Sequence, residues 1–92
     1  MQIDFDPGKS ERNRRERDLP FERAASFEFG TALIKADLRF DYGELRYVAI
    51  GFIDGRLHVL CFSEIDDGIR VISLRKANER EIKRHAQVKT DD

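Results

Sequence analysis

The spacing of apolar and polar side chains changes period several times along the 92-residue chain, and each change marks an element. Ile3 and Phe5 stand between acidic residues and predict a short strand or extended lead-in. Asp6-Pro7 then opens a helix, with the aspartate as N-cap and the proline at the first helical position, where its missing N–H leaves no bond unmade. This helix runs over about 7–17 almost without an apolar stripe, so it is either highly exposed or docked on something charged. Asp18-Leu19-Pro20 breaks it. Phe21, Ala24, Ala25 and Phe29 recur at helical spacing and predict a second helix over 21–29, closed by Gly30 at its C′ position.

From residue 31 the period shortens to two. Residues 31–37 read as a first strand and 38–43 as a loop or hairpin turn. Residues 44–53 read as a strand with Val48, Ile50 and Phe52 on one face and Tyr47 and Ala49 on the other. Asp54-Gly55 is a type I′ hairpin signal, because both central residues of that turn need positive φ. Residues 56–63 are its partner strand, Asp66-Asp67-Gly68 the next turn, and 69–75 the strand that follows. Asn78, with Glu81 three residues on, forms a capping box and starts a helix reaching about residue 88. The expected fold is α+β: two N-terminal helices, an antiparallel sheet of about four strands and a C-terminal helix, in one domain over 1–92.

Composition narrows the class. The chain is 40% hydrophobic and 38% charged, which suits a small folded globule rather than a disordered segment. No apolar run approaches the ~20 residues that span a bilayer, and the N-terminal stretch carries acids where a signal peptide needs a basic and then an apolar region. A cytoplasmic location with no membrane contact is therefore expected. Cys61 stands alone, and two widely separated histidines give no zinc spacing, so neither metal nor cofactor is expected. The net charge of −1 argues against a generic nucleic-acid binder, yet the charge is segregated. Residues 7–17 hold five cations against two anions, residues 69–89 seven against two, and residues 37–68 three against seven. If the two basic segments meet in space, they form one phosphate-binding surface; otherwise they are solvated helix faces.

Several short motifs follow one another in a fixed order. They are Phe5-Asp6-Pro7-x-Lys9, Asn13, Phe21-x-x-Ala24, and Glu44-x-Arg46 with Gly51 shortly after. The last is Arg70-x-Ile72-Ser73-x-Arg75-Lys76-Ala77, followed by a helix rich in Arg and Glu. In this order the chain resembles the BrnT family of bacterial type II toxins over nearly its whole length. The resemblance implies a ribonuclease of RelE-like fold that degrades RNA and arrests translation. It also implies a BrnA-type ribbon-helix-helix antitoxin as partner, with operator DNA reached only through the toxin–antitoxin complex. Two departures stand out: Glu16-Arg17-Asp18 where the family usually has Lys-His-Gly, and His85 where it usually has an aromatic, commonly Tyr. They motivate the alternative of a catalytically inactive relative kept as an antitoxin-binding or regulatory module.

Cleaving RNA through its 2′-OH needs a base at that hydroxyl, an acid for the leaving 5′-oxygen, and cations for the charge that builds on the phosphoryl group. With no metal ligands, arginine and lysine must supply that charge. Arg75 and Lys76 stand at a strand end beside a helix N-terminus that favours anions, and Arg70 and Arg46 come next. For proton transfer His85 lies among cations that favour its neutral form. Glu44 beside Arg46 is a base or an orienting ion pair, and Glu64 is also available. Arg80, Lys83 and Arg84 around His85, with Arg14 from the first helix, are the expected RNA contacts. His58 shares a face with Leu60 and Phe62 and reads as structural, Cys61 alternates with Leu57 and Val59 and reads as core, and Tyr47 either packs or stacks on a base. Strict alternation sends Ser73 and Arg75 to one sheet face and Arg70 and Lys76 to the other.

Overall fold

Asp6 caps the first helix as its sequence requires. In the computed structural model, which describes residues 1–91 with side chains through Val88, the Asp6 carboxylate accepts from Gly8 N at 2.8 Å and Lys9 N at 3.3 Å. Helix α1 spans Pro7–Arg17 and ends where Asp18 turns into the left-handed region, φ 55°. Only Ser10 of this helix is buried, so hydrogen bonds rather than an apolar stripe fasten it. Ser10 Oγ accepts from Phe21 N (2.9 Å) and donates to Glu22 (2.9 Å). Asn13 Nδ2 donates to the carbonyls of Leu19 (2.7 Å) and Leu74 (2.9 Å). The highly exposed reading of α1 is the one observed. The Lys89 side chain, counted in the C-terminal basic segment, lies outside the described residues.

The expected second α-helix is instead a 3₁₀ helix, Phe21–Ser26, with a further 3₁₀ turn, Phe29–Thr31, that contains Gly30. The reason is visible in the burial: Phe21, Ala24 and Phe27 are buried at a spacing of three, the 3₁₀ repeat, whereas Ala25 is exposed. Glu28 N then donates to Phe52 O (2.9 Å), turning the chain onto the sheet.

Five strands form that sheet: β1 Gln2–Asp4, β2 Leu33–Ala36, β3 Arg46–Ile53, β4 Arg56–Ile65 and β5 Gly68–Lys76. Their order is β1-β5-β4-β3-β2. The three-residue β1, the short strand that Ile3 suggests, joins the four expected strands as a fifth and pairs parallel with β5, Gln2 opposite Gly68 and Asp4 opposite Arg70. A Cβ at Gly68 would collide with the Gln2 backbone, so glycine is what admits this edge strand. The Asp54-Gly55 turn has φ values of 49° and 78°, the hairpin its sequence predicts. Helix α2, Glu79–Asp91, starts at the expected capping box: Glu81 N donates to Asn78 Oδ1 and Asn78 N to Glu81 Oε1, both at 2.9 Å.

The sheet has two differently covered faces. On the back, Leu19, Phe21, Ala24 and Phe27 pack on Ala49, Leu60, Phe62, Val71 and Leu74, forming the main core. On the front, α2 lays Ile82 against Leu57, Val59, Ala77, Val48, Ile50 and Phe52. The basic helices α1 and α2 therefore lie on opposite sides of the sheet, and the single surface that would join them does not form. Arg14 of α1 pairs with Glu11 at 2.6 Å on the back side, away from α2.

Register decides which side chains share the front. Cys61 stands opposite Ser73 but Phe62 opposite Val71, so Ile72 is the extra residue of a β-bulge. The bulge shifts the alternation of β5 by one residue. Arg70 (opposite Ser63), Ser73 (opposite Cys61) and Arg75 (opposite Val59) consequently face the same way, where strict alternation separates Arg70 from the other two. Arg46, opposite Ser63, joins them.

Candidate active site

Helix α2 covers only part of the front face and leaves a cleft of about 660 Å³ beside its first two turns. Val48, Ile50 and Val59 form an apolar floor with Cys61 and Ser73. One wall is Lys35 of β2 with Asp37, Leu38 and Arg39 of the loop that follows it. The other wall is Arg75, Glu81 and Arg84. A broad, shallow concavity continues over the outer surface of α2, lined by Arg80, Lys83 and Arg84. Arg84 belongs to both, so cations run from the cleft up the helix without a break. A groove lined by cations in this way can follow a phosphate backbone, although its floor is aliphatic and offers no aromatic ring for base stacking.

Two of the cleft's cations, Arg75 and Arg39, are aimed by carboxylates. Arg75 binds Glu81 with both terminal nitrogens at 2.8 Å, and Glu81 also completes the cap of α2. That bidentate contact holds the Glu81 carboxyl at about 2, with the Asn78 amide adding to it, and raises the Arg75 guanidinium further. Across the cleft Asp37 accepts from Arg39 Nε and Nη2, both at 2.9 Å, and from the Tyr42 hydroxyl at 3.1 Å. Its carboxyl is thereby held far below the usual range, first by Arg39. Both cleft carboxylates are ionised and engaged, so they orient guanidinium groups rather than exchange protons near neutral pH.

Arg46 and Arg70 flank Ser63 in one row of the front face. Arg46 stacks over the Tyr42 ring with Cζ 4.1 Å from the centroid, and its Nη2 lies 3.5 Å from Glu44. Its Nε and the neighbouring Ser63 Oγ are buried with no partner among the described residues. Arg70 Nε meets Asp4 at 2.8 Å at the outer side of this row.

Family models matched against the chain bring this geometry to an identity. One of them, described as ribonuclease toxin, BrnT, of type II toxin-antitoxin system, matches residues 5–81. The chain belongs to the BrnT family of ribonuclease toxins. No curated protein and no solved structure matches it. No helix among the described residues is long and apolar enough to cross a membrane.

In this BrnT chain the matched span contains Arg46, Arg70 and Arg75 and ends at Glu81, the residue that orients Arg75. Several other expected site residues stand elsewhere. Lys76 lies opposite His58, on the back face: as the neighbour of Arg75 it points the other way, and the bulge has moved Arg70 off the face that strict alternation would have them share. His85 is 6% exposed, edge-on to Phe52 (5.5 Å between ring centroids), with Nε2 3.5 Å from the Thr31 carbonyl. It packs between α2 and the sheet and is not among the residues that line the cleft. Arg14 is on the far side with α1. His58 is buried as expected, donating Nδ1 to the Arg56 carbonyl at 2.7 Å, and burial lowers its pKa. Tyr47 packs against Phe62, stacked at 5.5 Å. Cys61 is partly exposed at the cleft floor rather than in the core.

Lys35, Arg39 and Glu81 line the cleft without having been singled out in the sequence. Lys35 enters through its position opposite Val48, a matter of register. Arg39 sits in a loop whose order comes from Asp37, and only Glu81 had a local signal, its place in the capping box.

Proposed function

We propose that this chain cleaves single-stranded RNA across the front-face cleft, using its own arginines for charge and no metal. The observation that carries the reading is the bulge at Ile72, which turns Arg70 to the open face that Arg75 and Arg46 share, with Lys35, Arg39 and Arg84 at its rim. The 2′-oxygen attacks the adjacent phosphorus, the P–O5′ bond breaks, and a 2′,3′-cyclic phosphate and a 5′-hydroxyl result. Arg75, presented as a planar fork by Glu81, meets the phosphoryl oxygens as their charge increases. Arg46 and Arg70 hold the neighbouring backbone, and Arg80, Lys83 and Arg84 follow the strand along α2. Glu44 is the carboxylate beside the arginine row that is only loosely paired, 3.5 Å from Arg46; it accepts the proton of the 2′-OH, and solvent water protonates the leaving 5′-oxygen.

Loss of cellular RNA would arrest translation, with a BrnA-type ribbon-helix-helix antitoxin as the neutralising partner and operator DNA bound only through their complex. The test is RNA cleavage by purified Arg75→Ala, which loses roughly 100- to 1,000-fold in rate when a positioned donor to the transition state is removed. Wild-type rates in that variant, or intact RNA with the native protein beside an active BrnT control, would overturn the reading. A second reading, a non-cleaving module, draws on one observation: both histidines are buried and both cleft carboxylates are already engaged. It predicts salt-dependent RNA binding without cleavage.

A further inference from the structure

The strand farthest from β1 is β2, and its outer edge pairs with no strand among the described residues. An open edge is a template for another polypeptide strand unless charge, proline or a covering element blocks it. Here β2 is four residues long and carries one charge, Lys35, while the rest of the edge and the loop beyond it are largely apolar. Ile34 is 45% exposed on the edge itself, and the loop that leaves it exposes Leu38 (81%), Phe40 (68%) and Leu45 (57%). On the back face next to Ile34 lies an open apolar groove of about 360 Å³, lined by Met1, Phe29, Ile34, Tyr47 and Phe62 with Glu64 as its acid.

Charge excludes nucleic acid as the occupant. Residues 34–45 set Lys35 and Arg39 against Asp37, Asp41 and Glu44, and the groove adds Glu64, so a polyanion gains nothing there. The loop is also ordered before anything binds: Asp37 holds Arg39 and Tyr42, Tyr42 carries Arg46 on its face, and Phe40 stands edge-on to Tyr42 at 5.8 Å. A preformed apolar surface loses little conformational freedom on docking.

Resting on the toxin reading above, we propose that the antitoxin adds an extended segment along the outer edge of β2 and sets alternate apolar side chains over Ile34 and Phe40. Backbone pairing supplies affinity and the groove supplies specificity. Because Lys35, Leu38 and Arg39 also form one wall of the cleft, a chain on this edge closes the cleft from the side without covering Arg75 or Arg84 on the opposite wall.

The experiment compares native toxin with Ile34→Glu, Phe40→Ser and the double variant, titrated with the purified product of the reading frame adjoining the toxin gene. Thermal unfolding serves as the control for folding. The expected result is antitoxin affinity weakened at least about 30-fold in the double variant, as for loss of a hot-spot side chain, with RNA cleavage and thermal unfolding unchanged. Unchanged antitoxin affinity overturns the proposal. So does weakened RNA binding with antitoxin affinity intact, which would assign the patch to RNA, or a native toxin dimer that the substitutions dissolve, which would assign it to a second copy. Absence of RNA cleavage in every form, native included, would sink the nuclease reading alone, because the affinity measurement still decides this one.

Discussion

Glu81→Gln isolates the charge that ties the site to the fold. Glu81 is a carboxylate with 18% side-chain exposure that accepts two hydrogen bonds from Arg75 at 2.8 Å and one from Asn78 N at 2.9 Å. Glutamine keeps the shape and one acceptor oxygen but offers Arg75 an amide in place of the second. The carboxyl falls from its ordinary 4.5 to about 2 in the folded protein. At 1.36 kcal/mol per unit this is a ceiling of roughly 3 kcal/mol. Arg75 is 39% exposed, and solvent screening reduces the contribution to about 1–2 kcal/mol. For a domain of this size that is a fall in Tm of about 4–16 °C at neutral pH. The sign follows from the depressed pKa. The stabilisation is complete above about pH 4.5, where the unfolded carboxyl is also ionised, and it drains away as pH falls towards about 2. Thermal unfolding of both proteins, followed by circular dichroism from about pH 7 downward, should show a gap that narrows steadily below about pH 4.5. A gap of constant size across that range, or none at neutral pH, would refute the reasoning, since the effect would then owe nothing to the ionised carboxylate.

Asn13→Ala removes two of the hydrogen bonds that fasten α1, leaving the Leu19 and Leu74 carbonyls short of a donor. A loss of about 2 kcal/mol in urea unfolding is expected. Gly51→Ala should also destabilise, by about 1–3 kcal/mol: a Cβ there would stand 2.7 Å from Phe27 Cζ and 2.9 Å from Ala32 Cβ, inside the main core. An alanine variant as stable as the native protein would show that Phe27 yields without strain.

Sequence alone determined the local events. Asp6-Pro7, the left-handed stop at Asp18, the Asp54-Gly55 hairpin and the Asn78/Glu81 box are each decided by neighbours within four residues, so their chemistry is written in order along the chain. The family was legible for a related reason. Several motif residues build the scaffold: Asp6 caps α1, Asn13 fastens it, Ala24 is fully buried in the main core, and Gly51 leaves room for the Phe27 ring and Ala32. The 3₁₀ form of Phe21–Ser26 was written in a spacing of three that two alanines disguised as a helical stripe.

Tertiary structure decided the site. Whether Arg70 and Arg75 cooperate depends on the extra residue at Ile72, and a one-residue slip sends every following side chain to the other face. Whether His85 faces solvent depends on which side of α2 meets Phe52. Whether Lys35 and Arg39 stand across a cleft from Arg84 depends on β2 pairing with β3, a contact between segments that carry no local record of each other. Short-range geometry is fixed by adjacent residues, while the convergence of distant charges is fixed by strand register, which the chain specifies only once the whole sheet has formed.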